Sequence, residues 1–263
     1  MKKALFALIL LALLPTEAFC VERIVILYAA ASPIVKALGV PEAHVVGVTR
    51  TDHEFPQAIR VGSHLRPNLE LIKALKPDFI ICGSKRAFPY EAARRFKARV
   101  FRYDPRSLEE ILASIERLGH LLGREKEAKA LAGKLSEKLR QVRPLPRRPG
   151  VVYEVMSVPL KVAGEKSIVS DIIWHAGGRN LVKVPKKHVQ ISPEKVLSLA
   201  PDFYIYQVGP MNRRPTPPKE RPYFRALKSV VVKVDEKEFA RPGLNAFDAV
   251  LELNKVFYEH MKK

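Results

Sequence analysis

The chain has 263 residues, 47% of them apolar, and a formal net charge of +19 at neutral pH. That length and apolar share can bury one sizeable core or two smaller ones, which excludes a largely disordered chain. The excess of Lys and Arg favours anionic ligands or surfaces, and with only five Asn and four Gln it also suits a thermophile.

Residues 1–20 read as a leader. Lys2 and Lys3 make a basic start, Leu5 to Leu14 is an apolar run of ten, and Pro15 to Ala18 closes it with small and polar residues. Ten apolar residues are too few to span a bilayer, so a cleaved secretory signal peptide and a periplasmic protein are expected. Cys20 invites lipoprotein anchoring, but Glu17 and Phe19 do not suit that signal and the strand that follows leaves no tether. The other cysteine, Cys82, ends an apolar run and reads as a buried thiol, so neither a disulfide nor a cysteine-built zinc site is expected. Export without a nucleic-acid-binding motif sets nucleic acid aside as a partner.

In chain order, Val21 to Leu27 is a β-branched strand. Ser32-Pro33 then reads as an N-cap and first helical residue of a helix that runs to Leu38 and stops at Gly39. Val45 to Val48 is a second strand, followed by a polar loop ending at Pro56. His64 to Ile81 holds a loop, a short helix capped by Asn68, a Pro-Asp break and an apolar strand. A helix around Tyr90 to Phe96 and a strand from Ala98 to Tyr103 follow. This alternation predicts a parallel sheet with helices on both faces.

From Ser107 to Val142 the chain is almost all helix formers, and two helices are expected, the second from Arg124 to Val142 at roughly 28 Å. The cluster PLPRRPG then marks a boundary. Beyond it the same grammar returns: a strand from Val151 to Met156, and a helix capped by Ser167 that ends at Gly177-Gly178. A loop and Ser192-capped helix lead to an apolar strand ending at Gln207. A Pro-rich basic loop, a strand within Leu227 to Val234, the loop Ala240 to Asn245 and a closing helix from Ala246 to His260 complete the chain.

The organising feature is a repeat. His64 to Ile81 and His188 to Ile205 align without a gap at an offset of 124 residues and share His64/His188, Glu70/Glu194, Leu75/Leu199, Pro77/Pro201, Asp78/Asp202, Phe79/Phe203 and Ile81/Ile205. Two similar α/β lobes follow from it, 21–123 and 144–263, with 124–143 as the helix between them. Ligands lie outside the carboxyl ends of strands in open parallel sheets, and an interlobe cleft is the natural place for one. The loops at those ends carry Arg50, His53, Lys85, Arg86, Met156 and Arg241.

The runs RIVILYAAASPIVKALG, NLELIKALKPDFIICG, SLEEILASIERLGHLLGREKEAKAL, VVYEVMSVPLKVAGEKS, ISPEKVLSLAPDFYIY and ARPGLNAFDAV, in this order, make the chain similar to the periplasmic binding proteins of ABC importers for iron complexes and cobalamin. The resemblance covers nearly all of the chain beyond the leader. It implies an α/β fold of two Rossmann-like lobes with parallel sheets, joined by a long backbone helix with little hinge closure. It further implies a monomeric receptor, not an enzyme, that delivers a metal complex (a ferric siderophore, haem or a corrinoid) to a membrane permease driven by an ATPase. By the same resemblance Glu70 and Glu194 are the surface glutamates that dock into arginine-bearing permease pockets, and His64 and His188 are ligand-contacting side chains facing each other across the cleft.

Other readings stay open at this point. Few aromatics and many cations at the cleft favour an anionic ligand, which includes an oxyanion such as molybdate or tungstate. His53, His64 and His188 would supply three ligands to a bare metal ion. An exported enzyme is the remaining class, but neither G-x-S-x-G nor G-x-G-x-x-G is present, and Gly164-Glu165-Lys166-Ser167 lacks the first Gly and the Gly-Lys pair of a phosphate loop. No catalytic residue, cofactor or resident metal is assigned.

Overall fold

The computed structural model describes residues 21–262; the leader lies outside them. The first lobe is built from β1 (Ile24–Ile26), α1 (Ser32–Ala37), β2 (Val45–Val48), β3 (Ile59–Arg60), β4 (Gly62–Ser63), β5 (Arg66–Pro67), α2 (Leu69–Ala74), β6 (Phe79–Cys82), α3 (Tyr90–Ala93) and β7 (Arg99–Arg102). Its five-stranded sheet has the order β3-β2-β1-β6-β7, with every pair parallel. β4 and β5 form a separate antiparallel hairpin at the turn that holds His64.

Two helices, α4 (Leu108–Leu121) and α5 (Glu125–Leu139), connect this lobe to the next. Gly123 makes the reversal between them at φ 65°, a conformation that suits a residue without Cβ. Close packing follows, since a Cβ on Gly119 would meet the Ala128 methyl at 2.3 Å. At 15 residues α5 is about 22 Å long. It stops short of Val142 because the amides of Arg140, Gln141 and Val142 tighten into bonds with carbonyls three residues back.

The second lobe contains β8 (Gly150–Met156), β9 (Lys161–Ala163), α6 (Ile168–His175), β10 (Arg179–Asn180), β11 (His188–Gln190), α7 (Pro193–Leu199), β12 (Phe203–Val208), β13 (Val230–Asp235), α8 (Glu236–Phe239) and α9 (Asn245–Met261). Its sheet runs β11-β9-β8-β12-β13, with β10 alongside β8. β8, β10, β12 and β13 are parallel, whereas β9 and β11 extend one edge in antiparallel fashion.

Alternation along the strands assigns the cores. Ile24, Ile26, Phe79 and Ile81 of the first sheet and Val151, Tyr153, Val155, Phe203 and Ile205 of the second face one continuous core, together with α4, α6 and α9. The intervening residues, Val25, Leu27, Ile80 and Cys82 in one lobe and Val152, Tyr204 and Tyr206 in the other, face two outer clusters. Burial on both faces is the reason the central strands read as unbroken apolar runs. Cys82 is buried as expected, and burial pushes its thiol up to about 11.

The repeat is a repeat of structure. Asn68 and Ser192 cap α2 and α7, accepting bonds from Leu71 N and Lys195 N. Asp78 accepts the amides of Glu22 and Arg23 just ahead of β1, and Asp202 accepts the amide of Gly150 at the head of β8. One reading fails locally. Ser32 is not an N-cap, because a turn of 3-10 helix at Ala29–Ala31 runs straight into α1, and its buried hydroxyl bonds Asp52 instead.

Candidate ligand-binding cleft

The carboxyl ends of β1, β6 and β7 and the segment ahead of α9 meet at one place. Tyr103, directly after β7 and fully buried, donates from its hydroxyl to the Pro242 carbonyl at 2.6 Å, which ties the two lobes together. Gly243 lies against the first lobe as well, where a Cβ would stand 3.1 Å from the Ala30 carbonyl oxygen. Tyr28, two residues past the end of β1, has its ring 6.1 Å from that of Tyr103. Burial pushes the Tyr28 phenol up to about 12, with Asp104 adding to the effect and Arg241 opposing it. The floor therefore holds neutral phenols, with Arg241 as its nearby cation.

His64 is fixed on this floor. Its ring lies 4.7 Å from that of Tyr28 with 31° between the planes, and a Cβ on Gly83 would meet its Cε1 at 2.5 Å. Gly83, the residue after β6, is thus the space the imidazole occupies. His64 Nδ1 sits 3.2 Å from the Leu27 carbonyl oxygen. A carbonyl only accepts, so Nδ1 carries the proton, and in the neutral ring Nε2 keeps its lone pair for another partner. A backbone carbonyl holding one ring nitrogen is the usual way a metal-ligating histidine is oriented.

His188 has different surroundings. It lies on the edge strand β11 opposite Ala163, two rungs from Gln190, which pairs with Lys161 near the end of β8. Burial, with Lys187 and Lys161 adjacent, pushes its imidazole down to about 4, so it is neutral at physiological pH and does not serve as a cation for an anionic ligand. The neighbours of His64 are Leu27, Tyr28 and Gly83, and those of His188 share none of them.

The remaining expected side chains are spread along the strand ends. Arg50 is exposed beside the His64 hairpin, its amide bonded to the Gly62 carbonyl. His53 is exposed on a loop organised by buried Asp52, which accepts the Glu54 amide. Lys85 and Arg86 are exposed beyond β6, and Lys85 Nζ stands 4.9 Å from the centre of the Tyr90 ring. Met156 is half-buried at the end of β8. Among the described residues, His53, His64 and His188 do not converge as metal ligands, so a bare-ion site built on those three is not formed. The group that does converge is Glu109, Asp171 and His175, where α4 meets α6. His175 Nε2 lies 3.1 Å from Glu109 and 3.7 Å from Asp171, and Asp171 accepts the Leu108 amide.

Sequence reasoning passed over three exposed apolar side chains. Leu65, beside His64, is 66% exposed; Val158, in the turn after β8, is 81% exposed; Met211, in the loop after β12, is 42% exposed. All three lie in loops at strand carboxyl ends, one from the first lobe and two from the second. Tyr28 was within reach of the same strand-end rule, since it lies two residues past the end of β1.

Two α/β lobes on a helical joint, with a cleft outside their strand ends, define a bilobal binding protein. Residues 24–217 match the periplasmic binding protein family, and the chain belongs to it. It is 24% identical over 229 residues to the high-affinity heme uptake system protein IsdE of Staphylococcus aureus, which covers 80% of this chain and 78% of that protein. The crystal structure of S. aureus IsdE complexed with heme superposes at a TM-score of 0.79, with 24% identity and coverage of 90% of this chain and 99% of that one. The periplasmic vitamin B12 binding protein BtuF of Vibrio cholerae superposes at 0.77, with 23% identity and 92% and 98% coverage. At these identities the structural likeness is one of fold.

Proposed function

We propose that the protein is the periplasmic solute-binding component of an ABC importer and captures a metal complex, of the haem, corrinoid or ferric siderophore class, in the interlobe cleft. The observation that carries this reading is His64, with its proton committed to Leu27, its ring locked between Tyr28 and Gly83, and Nε2 left as a metal donor. The rim supports the same reading. Leu65 on one side and Val158 and Met211 on the other suit the apolar faces of a macrocycle, while Arg50, Lys85, Arg86, Arg213 and Arg214 suit an acidic periphery. A small oxyanion would have no use for exposed aliphatic groups.

Delivery requires a surface for the permease. Glu70 and Glu194 occupy the first turns of α2 and α7, both exposed and related by the repeat. Bonds from its own backbone and from Ser192 hold the Glu194 carboxyl below the usual range, so it stays charged. The expected lobe limits, 21–123 and 144–263 around 124–143, fit a monomeric receptor stiffened by the α4–α5 pair. Cargo recognition, not turnover, is the activity.

Visible-absorption titration with hemin and with cyanocobalamin tests the reading. Saturable binding of one chelate per chain is expected, weakened at least tenfold in His64→Ala. Equal affinity in His64→Ala would remove this histidine from the site.

A further inference from the structure

The second lobe buries an ion pair that cargo binding does not account for. Glu154, in the middle of β8, is fully buried, and Arg221, 67 residues later, is 3% exposed. The guanidinium donates from Nη1 to Oε2 at 2.5 Å and from Nη2 to Oε1 at 2.9 Å, a bidentate pair. Tyr204 donates to the same carboxylate at 2.5 Å and Asn212 Nδ2 at 3.2 Å. A buried pair of this kind is seldom a net source of stability, because desolvation offsets the attraction. Its presence calls for another explanation, and its partners supply one.

Two of the partners, Asn212 and Arg221, also bond the backbone of loops that follow strand carboxyl ends. Asn212 Nδ2 also donates to the Gln207 carbonyl, while its Oδ1 accepts the amide and hydroxyl of Ser157. Arg221 Nε donates to the Thr216 carbonyl at 2.7 Å. The pair thus gathers the turn bearing Val158 and the loop bearing Met211, Arg213 and Arg214. That loop has few other anchors: the Gly209–Asn212 bridge and the bond from the Met211 amide to Glu236 at 2.7 Å. The segment is rich in proline and arginine, with exposed Arg213 and Arg214 that gain nothing from the core.

We propose that Glu154 and Arg221 are positioning residues. Their ion pair holds the second lobe's recognition loop, 209–216, in its cargo-binding shape before cargo arrives, so that the ordering cost is met during folding. The inference rests on the metal-complex reading of the cleft. It adds that selectivity in this lobe is set from below by two side chains that do not touch the ligand.

The test separates positioning from stability. In Glu154→Leu/Arg221→Met the buried charges are exchanged for apolar groups of similar reach, and the thermal midpoint should stay within a few degrees of the parent. Amide hydrogen exchange across 209–216 in the ligand-free protein should rise at least tenfold, with the β1 and β6 amides unchanged. Affinity for whichever of hemin and cyanocobalamin the parent binds should fall at least tenfold. Unchanged exchange in the loop, or unchanged affinity for a chelate that the parent binds, overturns the proposal. Should the parent bind neither probe, the haem and corrinoid forms of the metal-complex reading fail and loop exchange alone decides the positioning role. Arg221→Lys, which keeps the counter-charge to Glu154 but loses the bidentate fork and the Nε bond to the Thr216 carbonyl, provides the same readouts if the double variant does not fold.

Discussion

Lys76 and Ala200, 124 residues apart, hold the same left-handed backbone conformation, with φ of 45° and 44°. Each follows its helix and precedes a Pro-Asp pair whose carboxylate ties down the head of the lobe's first strand. The chain must reverse sharply to bring that aspartate back under the sheet. Neither residue is one that favours the left-handed region, so both lobes carry the same local strain.

Ala200→Gly should therefore stabilise the protein. Removing Cβ relieves about 1–2 kcal/mol of left-handed strain, against about 0.5–1 kcal/mol of extra freedom in the unfolded chain. A net gain of about 0.5–1 kcal/mol in denaturant unfolding is expected. A loss would mean that the Ala200 methyl makes packing contacts worth more than the strain.

His188 should make stability depend on pH. Its folded value of about 4 lies below its ordinary 6.5, so the fold favours the neutral ring. That contribution is complete above pH 6.5 and is lost as pH falls from 6.5 toward 4, where the unfolded chain takes up the proton first. After allowance for partial solvent screening the loss is on the order of 1–2 kcal/mol. Unfolding of His188→Gln and its parent at pH 7 and pH 4.5 checks this: the gap between the two pH values should shrink in the variant.

Tyr103→Phe should loosen the joint between the lobes. The substitution leaves the buried Pro242 carbonyl without its donor, at a cost of about 1–3 kcal/mol. Thermal unfolding should show it, together with faster amide exchange in residues 240–246.

The repeat carried much of the fold in plain view. Its capped helices, Pro-Asp breaks and apolar strands recur in three dimensions because each solves the same local problem: starting a helix, stopping it and entering a buried parallel strand. The location of His64 beside the ends of β1 and β6 was legible, because a rule ties sequence position to strand ends there. The surroundings of His188 were not legible, because an antiparallel edge intervenes. β11 lies outside the parallel strand pattern, so the His188 side chain that matched His64 in sequence sits among lysines on an edge strand. Contacts between distant residues were equally out of reach: no period links Glu154 to Arg221, or Ser32 to Asp52. Nor does an exposed Val158 differ in sequence from a buried valine.

The central claim is that the cleft holds a metal complex. Native mass spectrometry of the protein with hemin, cyanocobalamin, several ferric siderophores, molybdate and divalent metal ions in competition tests it most directly. The account predicts one retained adduct per chain, a metal chelate. Retention of molybdate or of a bare ion with no chelate would contradict it.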